Sequence, residues 1–130
     1  MIKGIGIDIV QVQRMERWRS IPGLLERFFH PQEIAAVKQR GPAGNASLAA
    51  RFAAKEAFGK ALGTGLTGIV LKEVMVINES GGRPAMQVLG TALNALEKSG
   101  ANKIHVSLAH ERDNAVAMVI LEEERNGGRS

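Results

Sequence analysis

RFAAKEAFGKALGTG, residues 51–65, decides how the rest of the chain is read. At 100° per residue, Ala54, Ala57, Phe58, Ala61 and Leu62 form the apolar stripe of a helix that faces a core. Arg51, Lys55, Glu56 and Lys60 are set among them, and the helix stops in a glycine-rich turn. Glu56 lies nearly opposite the stripe with Lys60 one turn on, and Phe52, Gly59 and Gly63 share this second face. A solvent-exposed i, i+4 Glu–Lys pair, worth about 0.2–0.5 kcal/mol, would account for the two charges alone. A Phe and two glycines beside them point instead to a face that another group approaches closely.

Outward from this helix, both flanks read as short elements. IKGIGIDIV (2–10) alternates Ile5, Ile7 and Ile9 with Gly4, Gly6 and Asp8, a period-2 strand. Residues 11–29 predict a helix interrupted at Pro22-Gly23, and Pro31 suits the first position of a helix that follows His30 as surface or capping residue. GPAGN (41–45) is a loop, with Asn45 or Ser47 as cap of the long helix. Residues 69–79 predict a strand that SGGRP turns into AMQVL as a hairpin. TALNALEKS (91–99) is a helix closed by Gly100, and KIHVSLAH and AVAMVIL are strands joined by ERDN. Strands outnumber the helices that parallel crossovers need. The expected fold is therefore α+β, a mostly antiparallel sheet packed around a long central helix. One domain spans 1–123, and residues 124–130, with the acidic run before them, are expected to fray.

The chain has 130 residues, 45% of them apolar and 23% charged, and no cysteine, so neither a disulfide framework nor a thiolate site is available. No stretch approaches the ~18–20 apolar residues of a membrane span. The first ten residues do not resemble a signal peptide, so the expected address is the cytoplasm. Residues 1–60 hold ten Lys/Arg against five Asp/Glu, whereas residues 61–130 hold seven against eight. The basic excess in the first half suits an acidic partner or a phosphate-bearing ligand. A nucleic-acid-binding module fits the pI of about 9.9. Four Phe, one Trp and no Tyr leave little for a stacking platform, however, so no nucleic-acid partner is expected.

Asp8 is the sharpest candidate, a carboxylate in an isoleucine-rich strand whose face also carries Gly4 and Gly6, which clear room above it. It reads equally as a helix cap or arginine partner, or as a carboxylate aimed at a cation. Asp8 and Glu56 together would suit Mg²⁺, which takes one or two protein carboxylates and completes its shell with water and phosphate. His105 and His110, five apart on a strand, point to opposite faces and cannot share a metal. His110, at the strand's end beside Glu111, is a candidate base. GTGLTG (63–68) follows a helix and so is neither a P-loop nor a dinucleotide fingerprint, although its N–H groups suit a phosphate.

GIDIV (6–10), RFAAKEAFGKALGTG (51–65), GRP (82–84) and HVSLAHE (105–111), in this order and in a chain of this length, resemble the holo-acyl-carrier-protein synthase family of small 4′-phosphopantetheinyl transferases. The resemblance implies Mg²⁺-dependent transfer of 4′-phosphopantetheine from coenzyme A to a serine of apo-acyl carrier protein, in fatty-acid biosynthesis. It also implies a homotrimer whose active sites are shared between neighbouring subunits. By motif match, Asp8 and Glu56 would be the metal ligands, and Lys60 would contact the phosphates and stabilise or protonate the leaving group. Arg51, Lys60, Gly63, Pro84 and the segment from His105 to His110 would line the coenzyme A site, and His110 would assist in activating the serine through a water. Arg14 and Arg27 would grip the acidic carrier protein. Gln11 and Ala109 depart from the family's pattern, which often has an acidic residue at the first and Ser or Thr at the second. A phosphohydrolase using the same two carboxylates with water as nucleophile is the alternative chemistry.

Overall fold

The computed structural model describes residues 1–125. Its elements run β1 (Ile2–Gln11), α1 (Val12–Arg19), α2 (Leu24–Phe28), α3 (Pro31–Lys38), α4 (Gly44–Leu62), β2 (Val74–Asn78), β3 (Pro84–Val88), α5 (Gly90–Lys98), β4 (Lys103–His110) and β5 (Asn114–Glu122). β1, β5 and β4 form an antiparallel sheet in that order, and β2 and β3 form a separate antiparallel hairpin. The expected α+β architecture is present, with α4 packed chiefly on β1 and β5. Pro31 and His30 also fall as expected: the His30 Nδ1 accepts from the Gln32 N–H at the start of α3.

Small residues bring α4 down onto the sheet. Ala115, Ala117, Val119 and Leu121 of β5 alternate inward and are fully buried. Added Cβ atoms at Gly4 and Gly6 would overlap the carbonyl oxygens of Ala61 and Ala57. The room those glycines clear is thus filled by the helix backbone. The isoleucines point the other way: Ile5, Ile7 and Ile9 are 62%, 55% and 61% exposed, beside Met118 at 37%. Neither backbone at the Gly6 contact can yield cheaply, so Gly6→Ala is expected to cost about 3 kcal/mol, read as a lower urea midpoint at unchanged m-value.

The long helix is buried on more sides than its stripe predicts. Phe52 is 6% exposed and packs against Trp18, Phe28 and Phe29, so its side of α4 is closed by α1 and α2. Lys55 and Glu33 are fully buried and joined at 2.8 Å. The Lys55 ammonium also donates to the carbonyls of Leu71 and Val74, and the Glu33 carboxylate accepts from the N–H groups of His30 and Val76. Every charge-bearing atom in this interior therefore has a partner.

That network explains a departure in β2. The strand starts at Val74 rather than residue 69, because Leu71–Glu73 form a 3₁₀ turn that presents carbonyls to Lys55. The turn also aims Glu73 at α5, whose Thr91 N–H and hydroxyl both donate to Glu73 Oε1, at 2.8 and 2.6 Å. The Thr91 hydroxyl, and next its N–H, hold the Glu73 carboxyl below its ordinary value of 4.5. A depressed carboxylate stabilises the fold above its unfolded value and loses that contribution as pH falls through the folded one. Glu73→Gln is accordingly expected to melt below the parent at neutral pH, with the gap closing as pH falls below the ordinary carboxylate range.

Two further expectations are corrected. Neither Asn45 nor Ser47 caps α4: a 3₁₀ turn, Gly41–Ala43, leads straight into it, and the N-cap is Ala43. Asn45 instead accepts from Arg19 at 2.8 Å, and Ser47 from Arg51 at 3.2 Å. The acidic run at the C-terminal end does not fray at its start. Strand β5 includes Glu122, the Glu124 N–H donates to Asn102 at 2.8 Å, and Glu124 pairs with Lys103 at 3.0 Å. Residues 126–130, the rest of the expected tail, lie outside the described residues.

Candidate active site

Strand β1 and helix α4 bring Asp8, Glu56 and Lys60 together. Lys60 Nζ donates to Asp8 Oδ1 at 3.0 Å and to the Ile7 carbonyl at 3.1 Å. Its side chain is 57% exposed, so the ammonium is held at the surface, open to a ligand from solvent. The Glu56 carboxyl is pushed above its ordinary range, first by burial and then by repulsion from Asp8. Arg14 and Lys60 oppose that shift. Two carboxylates that repel across a half-buried site beside an exposed lysine form a hard oxygen donor set. Among the described residues no group of three or more metal-ligating side chains occurs. An incomplete cage of this kind fits Mg²⁺, which keeps several positions for water and phosphate.

A second cluster lies under the hairpin. A cleft of about 230 Å³ is lined by Arg40, Arg51, Asn78, Gly82, Pro84 and His110, among others. Arg51, Pro84 and His110 thus meet as expected, but Arg51 is 4% exposed and its donors are taken. It donates to Ser47, to the Val76 carbonyl and, at 3.0 Å, to Asn78 Oδ1. Its first duty is to tie β2 to α4. The charge at the cleft's exposed rim comes from Arg40, which the sequence places at the end of the helix begun by Pro31 and outside every motif, and which here stands in the turn after α3. His110 is exposed and makes no side-chain hydrogen bond among the described residues, whereas His105 turns the other way and meets Glu122 at 2.8 Å.

Not all candidates converge. Val10 of β1 and His110 of β4 both pair with Ala115 of β5, which places them roughly 10 Å apart across the sheet. Asp8 lies two residues further from His110 along β1. Gly63 is the residue after α4, at φ +83°, about 18 Å along the helix axis from Arg51. The turn it opens folds back on the helix: the Gly65 N–H donates to the Gly59 carbonyl at 3.0 Å, and a Cβ on Gly59 would press into Gly65. The group that approaches the glycines of this face is therefore the chain's own turn, which closes beside Lys60. Arg14 lies over the rings of Trp18 and Phe52, and Arg27 over Phe28.

Residues 4–119 match the model of the 4′-phosphopantetheinyl transferase superfamily. The chain is 54% identical over 122 residues to a holo-[acyl-carrier-protein] synthase of Treponema denticola, an alignment covering 94% of this chain and 99% of that one. Its structure resembles the crystal structure of holo-[acyl-carrier-protein] synthase from Neisseria meningitidis, with a TM-score of 0.84, 34% identity and coverage of 95% and 100%. It also resembles the Bacillus anthracis holo-(acyl-carrier-protein) synthase in complex with coenzyme A (3′,5′-ADP), with a TM-score of 0.79, 32% identity and coverage of 95% and 99%.

Proposed function

Because the chain belongs to the 4′-phosphopantetheinyl transferase superfamily, we propose that it transfers 4′-phosphopantetheine from coenzyme A to a serine of apo-acyl carrier protein. The products are holo-acyl carrier protein and adenosine 3′,5′-bisphosphate. The observation that carries this reading is the meeting of Asp8, Glu56 and Lys60 at one half-exposed site. In the reaction the serine Oγ forms a bond to the phosphorus nearer pantetheine. The pyrophosphate P–O bond breaks, and the serine proton is removed. Reactions of this type need positioning and charge neutralisation above all. Asp8 and Glu56 would hold Mg²⁺, which when bound supplies charge to the pyrophosphate. Lys60, already a surface point charge, reaches the leaving phosphate and stabilises or protonates it. His110, exposed at the end of β4, takes the serine proton through a water. Pro84, Arg51 and Arg40 border the space for coenzyme A, with Gly63 opening the turn at its far end. Arg14 and Arg27 meet the acidic carrier.

The distance of His110 from Asp8 within one chain supports an active site completed by a neighbouring copy, in a homotrimer. The outward isoleucines support it too, since a contiguous apolar face of this kind marks an interaction surface. Ile7→Asp is expected to shift sedimentation to the monomer and lower transfer with it; an unchanged sedimentation coefficient would remove this face from the interface. Among the described residues no helix is long and apolar enough to cross a membrane, and the reaction's two substrates put the protein in the cytoplasm.

Intact-mass spectrometry of an apo-acyl carrier protein incubated with the protein, coenzyme A and Mg²⁺ tests the reading. A gain of about 340 Da at the serine, lost with EDTA, is the expected result. Free phosphopantetheine released without carrier would point to the hydrolase chemistry instead.

A further inference from the structure

Arg14 acts on the Glu56 carboxyl only through space, and Arg27 stands in the last turn of α2. Among the described residues neither forms an ion pair. Each guanidinium lies over aromatic rings: Arg14 Cζ is 4.9 Å from the Trp18 centroid and 5.2 Å from that of Phe52, and Arg27 Cζ is 5.8 Å from Phe28. The rings are themselves in contact, with Trp18 5.2 Å from Phe28 and 4.9 Å from Phe52. Both arginines therefore cap one aromatic cluster, built where α1, α2 and α4 meet. Arg14 and Trp18 are four residues apart on α1, which puts them on the same side of that helix. Phe52 is one turn before Glu56 on α4, so the cluster fixes Arg14 relative to the catalytic helix.

A guanidinium stacked on a ring has given up side-chain freedom before any partner arrives. Its in-plane N–H edge stays available for a carboxylate. We propose that Trp18 is a positioning residue for carrier docking: with Phe28 and Phe52 it holds Arg14 and Arg27 in fixed orientation as two anchors for carboxylates of the acidic carrier protein. The proposal rests on the functional reading above. It makes the lone tryptophan of the chain part of substrate selection, because a preset pair of anchors favours carriers whose acidic side chains match its spacing.

The test compares Trp18→Leu, which keeps apolar packing without a π face, with Trp18→Phe, which restores one. Kinetics are measured with apo-carrier and coenzyme A, and apo-carrier affinity is measured by calorimetry without coenzyme A or metal. Trp18→Leu is expected to raise the carrier KM and Kd roughly 5- to 10-fold. The coenzyme A KM and kcat should stay within about 2-fold. Trp18→Phe should recover most of the loss, and Arg14→Lys added to Trp18→Leu should do little more than either alone. Parallel changes in both KM values and kcat, a Phe variant as impaired as the Leu variant, or an unchanged carrier KM in an active Trp18→Leu protein would each overturn the proposal. Parent protein that fails to modify the carrier would defeat the functional reading itself.

Discussion

Lys55→Met is expected to lower stability by about 3–5 kcal/mol, a large part of the 5–15 kcal/mol typical of a domain, without touching any group assigned to chemistry. The reason is asymmetry. The ammonium is fully buried and joined to Glu33 at 2.8 Å, and methionine would leave the Glu33 carboxylate in the interior without its counter-charge. The N–H groups of His30 and Val76 would still serve that carboxylate, but the carbonyls of Leu71 and Val74 would lose their donor. Burial lowers the Lys55 pKa and the attraction of Glu33 raises it, so the buried ammonium depends on its partner to stay charged. Urea unfolding of Lys55→Met and Glu33→Gln measures this directly. A loss under 1 kcal/mol in both would mean that the interior relaxes around a missing partner. The damage should be local first, because the same network seats the 3₁₀ turn and β2, and β2 supplies the Val76 carbonyl and Asn78 that hold Arg51 at the cleft.

Glu56→Gln should do the opposite, leaving the fold intact while transfer falls by about 10³-fold or more, the scale of several kcal/mol of transition-state charge stabilisation. Its carboxylate is disfavoured by burial and by Asp8, so a neutral amide of the same shape removes a repulsion the folded state carries. Unfolding in urea should therefore occur at an equal or higher midpoint than in the parent, the trade often found where a site keeps charges that the scaffold does not want. Full activity in the variant would remove Glu56 from metal binding. A lowered midpoint would show instead that the carboxylate contributes to the fold.

Much of this was legible in the chain, and the misses have physical reasons. The stripe of Ala54, Ala57, Phe58, Ala61 and Leu62 located α4, since helical periodicity is a local property. Alternation located β1 but not its inward face: period 2 separates two faces without saying which is covered, and here the glycines turned out to face in. The Glu33–Lys55 pair spans 22 residues and leaves no local mark, so Lys55 stood in a motif without a role. Asp8 and Glu56 together suit Mg²⁺ by residue type, but only the seating of α4 on β1 brings them within electrostatic reach. Arg14 and Trp18 stand four residues apart, a common helical spacing that by itself marks no stacked pair. What the sequence could not convey was that Phe52, from another helix, would close the other side.

The glycines of β1 also act as a ruler. A strand that slips by one residue exchanges its two faces. Here such a slip would drive an isoleucine into the main-chain oxygen of Ala57 or Ala61, where not even one methyl group fits. Only one alignment of β1 beneath α4 is therefore open, and it is the one that sets Asp8 beside Lys60. The carboxylate comes to its place by exclusion of every neighbouring setting, before any substrate has arrived to select it.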